Sequence, residues 1–169
     1  MSSGGHREPG SSPAVDEETI RAAAMADAEL LWAWANDPEA RLWSFRSAPI
    51  PWETHLAWLT TKLDDPTTRI FVVGDGATPK AVVRFETDDD VAVVSVVVDP
   101  GQRGRGWGTR ALRLACRTAA DELSFQRVDA YIKPHNAGSI AAFERAGFVH
   151  VRDSGRADAL RMAWYPEPR

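Results

Sequence analysis

Three glycines at a spacing of two, Gly104, Gly106 and Gly108, stand among Arg103, Arg105 and Arg110. Glycine admits positive φ and lets a ligand come close to backbone N–H groups, and the arginine fork matches paired anionic oxygens. The chemistry these residues offer is anion binding. The β-branched run Val94-Ser95-Val96-Val97-Val98 precedes them and suits a strand, which Pro100 and Gly101 stop. Leu112, Ala115, Cys116, Ala119 and Leu123 then recur at helical spacing. A strand, a glycine turn and a helix start therefore aim several N–H groups and the positive helix end at one anion, a pyrophosphate being the best fit.

Stepping outward along the chain, the elements that position this turn follow from local signals. Thr19-Ile20-Arg21 reads as a short first strand, and Asp27 as the cap of a helix running to about Ala35, with Leu30, Leu31 and Trp34 toward the core. Asn36-Asp37-Pro38 stops it. Residues Glu39 to Ile50 read as a loop, and a second helix starts near Pro51 and ends at Asp64-Asp65-Pro66. Arg69 to Val73 and Ala81 to Thr87 form a hairpin, Arg127 to Lys133 another strand, and a short helix reaches about Ala146 with Gly147 as its C-terminal cap. Phe148 to Arg152 and Ala159 to Trp164 close the set. The order is α/β: a mixed central sheet of about six to seven strands flanked by about four helices. Residues 1–16, rich in Ser, Gly and Pro, are expected to be a disordered tail, and 17–169 one domain.

Composition narrows the partners. A formal charge of −4 over 169 residues argues against a general nucleic-acid binder, so the basic segment from Arg103 to Arg117 points to a small anionic ligand. The single cysteine, Cys116, forbids an intrachain disulfide and sits on the apolar side of its helix. No apolar run reaches membrane-spanning length, so a cytoplasmic protein, monomer or homodimer, is the expectation.

Three phosphate-binding patterns compete for the turn. A P-loop requires a lysine after its last glycine, and none follows Gly108; the dinucleotide fingerprint spaces its glycines two and then three. The pattern that fits is Arg/Gln-x-x-Gly-x-Gly, met by Arg103, Gly106 and Gly108. A second segment lies about thirty residues on, Asn136-x-x-Ser139-Ile140-x-x-Phe143-x-x-x-Gly147-Phe148. With both, the chain from about Thr19 to Trp164 resembles the GNAT superfamily of acyl-CoA-dependent N-acetyltransferases. An Arg-Gly-rich RNA-binding segment fits less well, because the turn is framed by strand and helix.

The resemblance implies acetyl-CoA as cosubstrate and a GNAT fold. It implies a pyrophosphate cradle at Arg103, Gly104, Arg105, Gly106, Trp107, Gly108 and Thr109, with Asn136 and Ser139 on the pantetheine or phosphate side. Main-chain groups of Val96 and Val98 would hold the pantetheine arm, and an N–H near Val97 the oxyanion. Many relatives place a tyrosine at position 143 as general acid; Phe143 has no proton to give and would pack against the arm, with Tyr131 a distant substitute. For the base, Glu86 is the first candidate and His55 the second. Five of seven tryptophans fall before residue 59, and Arg41, Trp43, Trp52 and Arg84 are the candidate acceptor contacts. Segments 35–41, 52–58 and 83–86 resemble GNAT enzymes that acetylate nucleotide-linked amino sugars, as in pseudaminic acid biosynthesis. An N-terminal peptide or an antibiotic amine is the alternative acceptor, and an acyl-CoA sensor without turnover the alternative function.

Overall fold

The computed structural model describes residues 17–168, so the tail expected over 1–16 lies outside the described residues. The chain runs β1 (Glu18–Ala22), α1 (Ala28–Ala35), α2 (Pro38–Trp43), α3 (Trp52–Asp64), β2 (Thr68–Asp75), β3 (Thr78–Asp88), β4 (Val91–Val98), α4 (Trp107–Glu122), β5 (Arg127–Ile132), α5 (Ala137–Arg145), β6 (Val149–Val151) and β7 (Leu160–Trp164). Short 3-10 turns cover Met25–Asp27 and Pro100–Gln102. The sheet has seven strands in the order β1-β2-β3-β4-β5-β7-β6. All pairs are antiparallel except β4 with β5.

Among the described residues five α-helices flank the sheet, against an expectation of about four. The additional one is α2, inside the stretch read as a loop. Its cause is local: the Asp37 carboxylate accepts from the Glu39 and Ala40 amides at 3.1 and 3.3 Å, and Pro38 fits the first turn. Asp27 also acts differently from expectation. Its side chain makes no cap bond to α1; it accepts from the Ala24 amide and from both Arg21 terminal nitrogens at 2.7 and 2.8 Å. The Arg21 hydrogen bonds hold the Asp27 carboxyl below its ordinary pKa, against the effect of burial.

Alternation along β3 and β4 separates two faces. Ala81, Val83, Phe85, Ala92 and Val94 enter one core with Leu112, Ala115, Cys116 and Ala119 of α4, all 4% exposed or less. Each such leucine contributes about 1.5–3 kcal/mol by leaving water. On the opposite face, Ile70 and Val72 pack with Ala28, Leu31 and Leu59, and Leu30 lies against them. Trp34 is half-buried outside both clusters. Trp32, also outside both clusters, meets Trp52 edge-on, with Nε1 donating to the Ile50 carbonyl at 2.8 Å.

Candidate functional site

The site begins where β4 and β5 part. Their register is Val91 with Arg127, Ala92 with Val128 and Val93 with Asp129, and there it stops, although β4 continues to Val98 and β5 to Ile132. β4 stays paired with β3 up to Ala81–Val98. One edge of β4 is therefore open inside the sheet. The Asp99 amide donates to the Lys80 carbonyl at 2.8 Å. Since successive residues of a strand point their backbone groups to alternate sides, Val97 and Ser95 also face β3, and Val96 and Val98 face the opening. Val96 and Val98 therefore turn their backbone groups into the opening, whereas the N–H of Val97 points to β3.

Beyond Val98 the Asp99 carboxylate caps the Gly101 amide at 2.9 Å, and the chain turns through Gly104 (φ 74°) and Gly106 (φ 81°) into α4. A Cβ on either glycine meets nothing within 4 Å, so the space above the turn is open to a bulky anion. Gly108 is different: a Cβ there would touch Val98 and Ala142 at 3.6 Å, so α4 starts tightly between β4 and α5. Thr109 reinforces this by donating to the Ala142 carbonyl at 3.4 Å. Asn136 caps α5 through the Ser139 amide at 3.2 Å. The glycine turn and the Asn136 segment, distant in sequence, are in this way brought side by side.

Several expected ligand contacts have other partners. Arg103 is ion-paired with Asp37 at 2.7 Å and Glu39 at 2.9 Å, whereas Arg105 is exposed. Trp107 is 4% exposed, with the Arg110 guanidinium 3.8 Å from its ring centre. Phe143 is 2% exposed and meets Phe148 edge-to-face at 4.9 Å. Its ring is core, so packing against a bound arm is not its main contact.

The acceptor side divides similarly. Arg41 spends its guanidinium on the carbonyls of Ala35 and Arg46, at 2.6 and 2.9 Å, and on Ser44 Oγ at 3.0 Å, which fixes the loop after α2. Trp52 lies between Trp32 and His55, and Trp43 ends α2 half-buried. His55 is 3% exposed between Trp52 and Trp58, with Nε2 2.9 Å from the Ala28 carbonyl. Burial pushes its pKa below the ordinary value, against the carbonyl. Such a ring joins α3 to α1 and has no path to a substrate proton. Glu86 and Arg84, by contrast, project from β3 into a concavity of about 320 Å³ that Ser95 and Val93 of β4 also line. Glu86 is held by Lys62 at 2.8 Å and Arg84 at 3.0 Å, and Arg84 lies 5.2 Å over Trp58. Burial pushes the Arg84 pKa down, Glu86 opposing it.

Asp129, Tyr131 and Arg161 lie on the same face of the sheet as Glu86 and Val93. Asp129 is directly beside Val93, and Tyr131 is opposite Arg161. Isolated charges in two apolar strands gave no motif; only the pairing of β5 with β4 and β7 reveals them as neighbours of the opening. Arg156, from the β6–β7 connection, stacks on Phe45 at 4.0 Å and approaches Tyr131 at 5.6 Å.

A family model described as the acetyltransferase (GNAT) domain matches residues 19–149. The L-2,4-diaminobutyric acid acetyltransferase of Nocardia farcinica is 29% identical over 136 residues, 78% of this chain and 65% of that protein. A probable N-acetyltransferase of Bacillus subtilis, YjcK, is 37% identical over 57 residues, 34% of this chain and 32% of that protein. The chain therefore spans less than two thirds of either relative. Spermidine N-acetyltransferase from Vibrio cholerae, solved with CoA and spermine, superposes with a TM-score of 0.77 at 18% identity, covering 88% of this chain and 95% of that one. Aminoglycoside acetyltransferase AAC(6')-Ib, solved with coenzyme A and kanamycin, gives 0.75 at 18% identity, with coverage of 88% and 95%. At that identity the likeness is one of fold. With its family model spanning β1 to β6, the chain belongs to the GNAT acetyltransferase domain family.

Proposed function

We propose that the protein is an acetyl-CoA-dependent N-acetyltransferase that acylates a primary amine of a small molecule by direct attack. The observation that carries this reading is the continuity of the open β4 edge, the glycine turn and the start of α4. Val96 and Val98 offer backbone groups to an extended amide-bearing arm, and the turn from Gly104 to Gly108 offers amides to a pyrophosphate. Acetyl-CoA supplies an activated thioester. The amine forms an N–C bond as the C–S bond breaks, CoA leaves as thiolate, and the amine loses a proton. The Val98 N–H polarises the carbonyl. Glu86 is the acceptor-side carboxylate for the amine proton, and Lys62 and Arg84 fix its position.

Amino sugars are the first acceptor class to test, on the resemblance of segments 35–41, 52–58 and 83–86; aminoglycosides, spermine and diaminobutyric acid, the amines of the relatives and structural neighbours, set the rest of the panel. The assay is CoA release from acetyl-CoA. Turnover of at least one amine is expected, with Glu86→Gln lowering kcat by about 10²-fold, the usual size of a lost proton-transfer group. CoA release at background with every amine removes support for the reading.

One observation favours a second reading: Phe143 carries no proton and is sealed against Phe148. A CoA-binding sensor needs no acid. Thermal stabilisation by acetyl-CoA without any turnover identifies it.

A further inference from the structure

The acceptor face carries an arginine whose donors are largely unspent. Arg127 takes both oxygens of Asp129, Nε to Oδ1 at 2.8 Å and Nη2 to Oδ2 at 3.1 Å, and Asp129 is 1% exposed. Arg161 reaches that carboxylate only from Nη1 at 3.9 Å, outside hydrogen-bonding length. Its Nε is buried and has no hydrogen-bond partner among the described residues. Folded proteins leave few buried donors without a partner. The side chain as a whole is 23% exposed, so it is not sealed from solvent.

The surrounding charge does not cancel it. β5 contributes Arg127, Asp129 and Tyr131; β7 contributes Arg161; the β6–β7 connection contributes Arg156, paired with Asp158 at 3.2 Å. Three arginines face two aspartates, leaving one positive charge in excess. Lys133, at the end of β5, donates to the Leu42 carbonyl and adds to the same sign. The position is specific as well. Asp129 pairs with Val93 at the point where β4 and β5 part, and Arg161 stands opposite Tyr131 one strand further.

We propose that Arg161 binds an anionic oxygen group, carboxylate or phosphate, that the acceptor carries beside its amine. This rests on the acetyl-transfer reading above. β7 lies two strands from β4, on the side of the opening, so the anionic group is placed across β5 from the Val96–Val98 edge.

The test uses matched amines: 2,4-diaminobutyrate against its methyl ester, and glucosamine 6-phosphate against glucosamine. The wild-type protein is expected to favour the anionic member of one pair by about 10- to 100-fold in kcat/KM, the scale of one charge-assisted contact. The pair that shows the preference tells carboxylate from phosphate. Arg161→Gln should erase that preference through KM of the acceptor, leaving KM for acetyl-CoA and turnover of the neutral member unchanged. Arg161→Lys should restore part of it, and it carries the comparison if the glutamine variant melts unfolded by circular dichroism. Equal turnover within both pairs, or an Arg161→Gln loss shared by both members, overturns the proposal. If no amine turns over, the acetyl-transfer reading fails separately. Calorimetry of the two anionic amines with CoA present then decides: binding lost in Arg161→Gln supports the site, and equal binding or none at all overturns it.

Discussion

The Arg103 guanidinium lies 2.7 Å from the Asp37 carboxylate and so fastens α2 to the turn that opens α4. Asp37 also caps α2, and Glu39 adds a second carboxylate at 2.9 Å. Burial works against the Asp37 charge, but the Arg103 and amide hydrogen bonds outweigh it and leave its pKa below the ordinary value. One aspartate thus holds a helix start and its docking together.

Asp37→Asn keeps an oxygen for the cap and loses the ion pair, so it should cost less than about 1 kcal/mol. Asp37→Ala loses both and should cost about 1–2 kcal/mol. Urea unfolding of the two variants checks the order; equal losses would mean that the cap contributes nothing.

Gly106→Glu should abolish CoA binding while the domain stays folded. The added side chain finds open space, and the positive φ costs about 1–2 kcal/mol, but a carboxylate then occupies the place of the phosphate oxygens. Calorimetry with CoA measures the loss and circular dichroism the fold. Undiminished affinity would separate the turn from the donor site.

His55 should make stability fall with acid. Its folded pKa lies below the ordinary value because the ring is buried, so near pH 6.5 the unfolded chain binds the extra proton first. Stability is therefore complete above about pH 7 and declines as pH drops below about 6.5. His55→Phe keeps the ring stack and removes the titration. Thermal melts from pH 7.5 to 5 should be flatter for the variant. The aspartates with lowered pKa, Asp27 and Asp37 among them, act only in a more acidic range, on falling through the ordinary carboxyl value.

Cys116 should be inert to thiol reagents in the folded state. It is 1% exposed against α4's core neighbours, and burial pushes its pKa up to about 12. Titration with a chromogenic disulfide should find no reactive thiol in buffer and one per chain in denaturant. Rapid native labelling would mean that α4 opens.

The parts legible in the sequence were those fixed by local patterns. The β-branched run before Pro100, the Leu112–Ala119 spacing and Gly147, which has φ 100° after α5, all gave elements close to those observed. Position along the chain could not reveal which charged residues neutralise one another. Arg103 looks free for phosphate because Asp37 and Glu39 are remote in sequence, and Arg41 looks free for an acceptor because its partners are main-chain carbonyls, at the end of α1 and in the loop after α2. His55 offered a base by residue type, whereas its neighbours Trp52 and Trp58 had already enclosed it. Arg161 depends on strand order alone.

The parting of β4 from β5 after Val93 also bears on solubility. A strand edge with free backbone groups normally invites another chain to add on, which is why exposed edges are short or charged. Here β3 closes one side of β4, and β5, returning toward β7, forms the far wall of the gap. The unpaired stretch thus lies inside the sheet, between strands, and not at its margin, where a second chain would add on. The protein keeps a reactive edge at the centre of its sheet, shielded from its own copies by the strands around it.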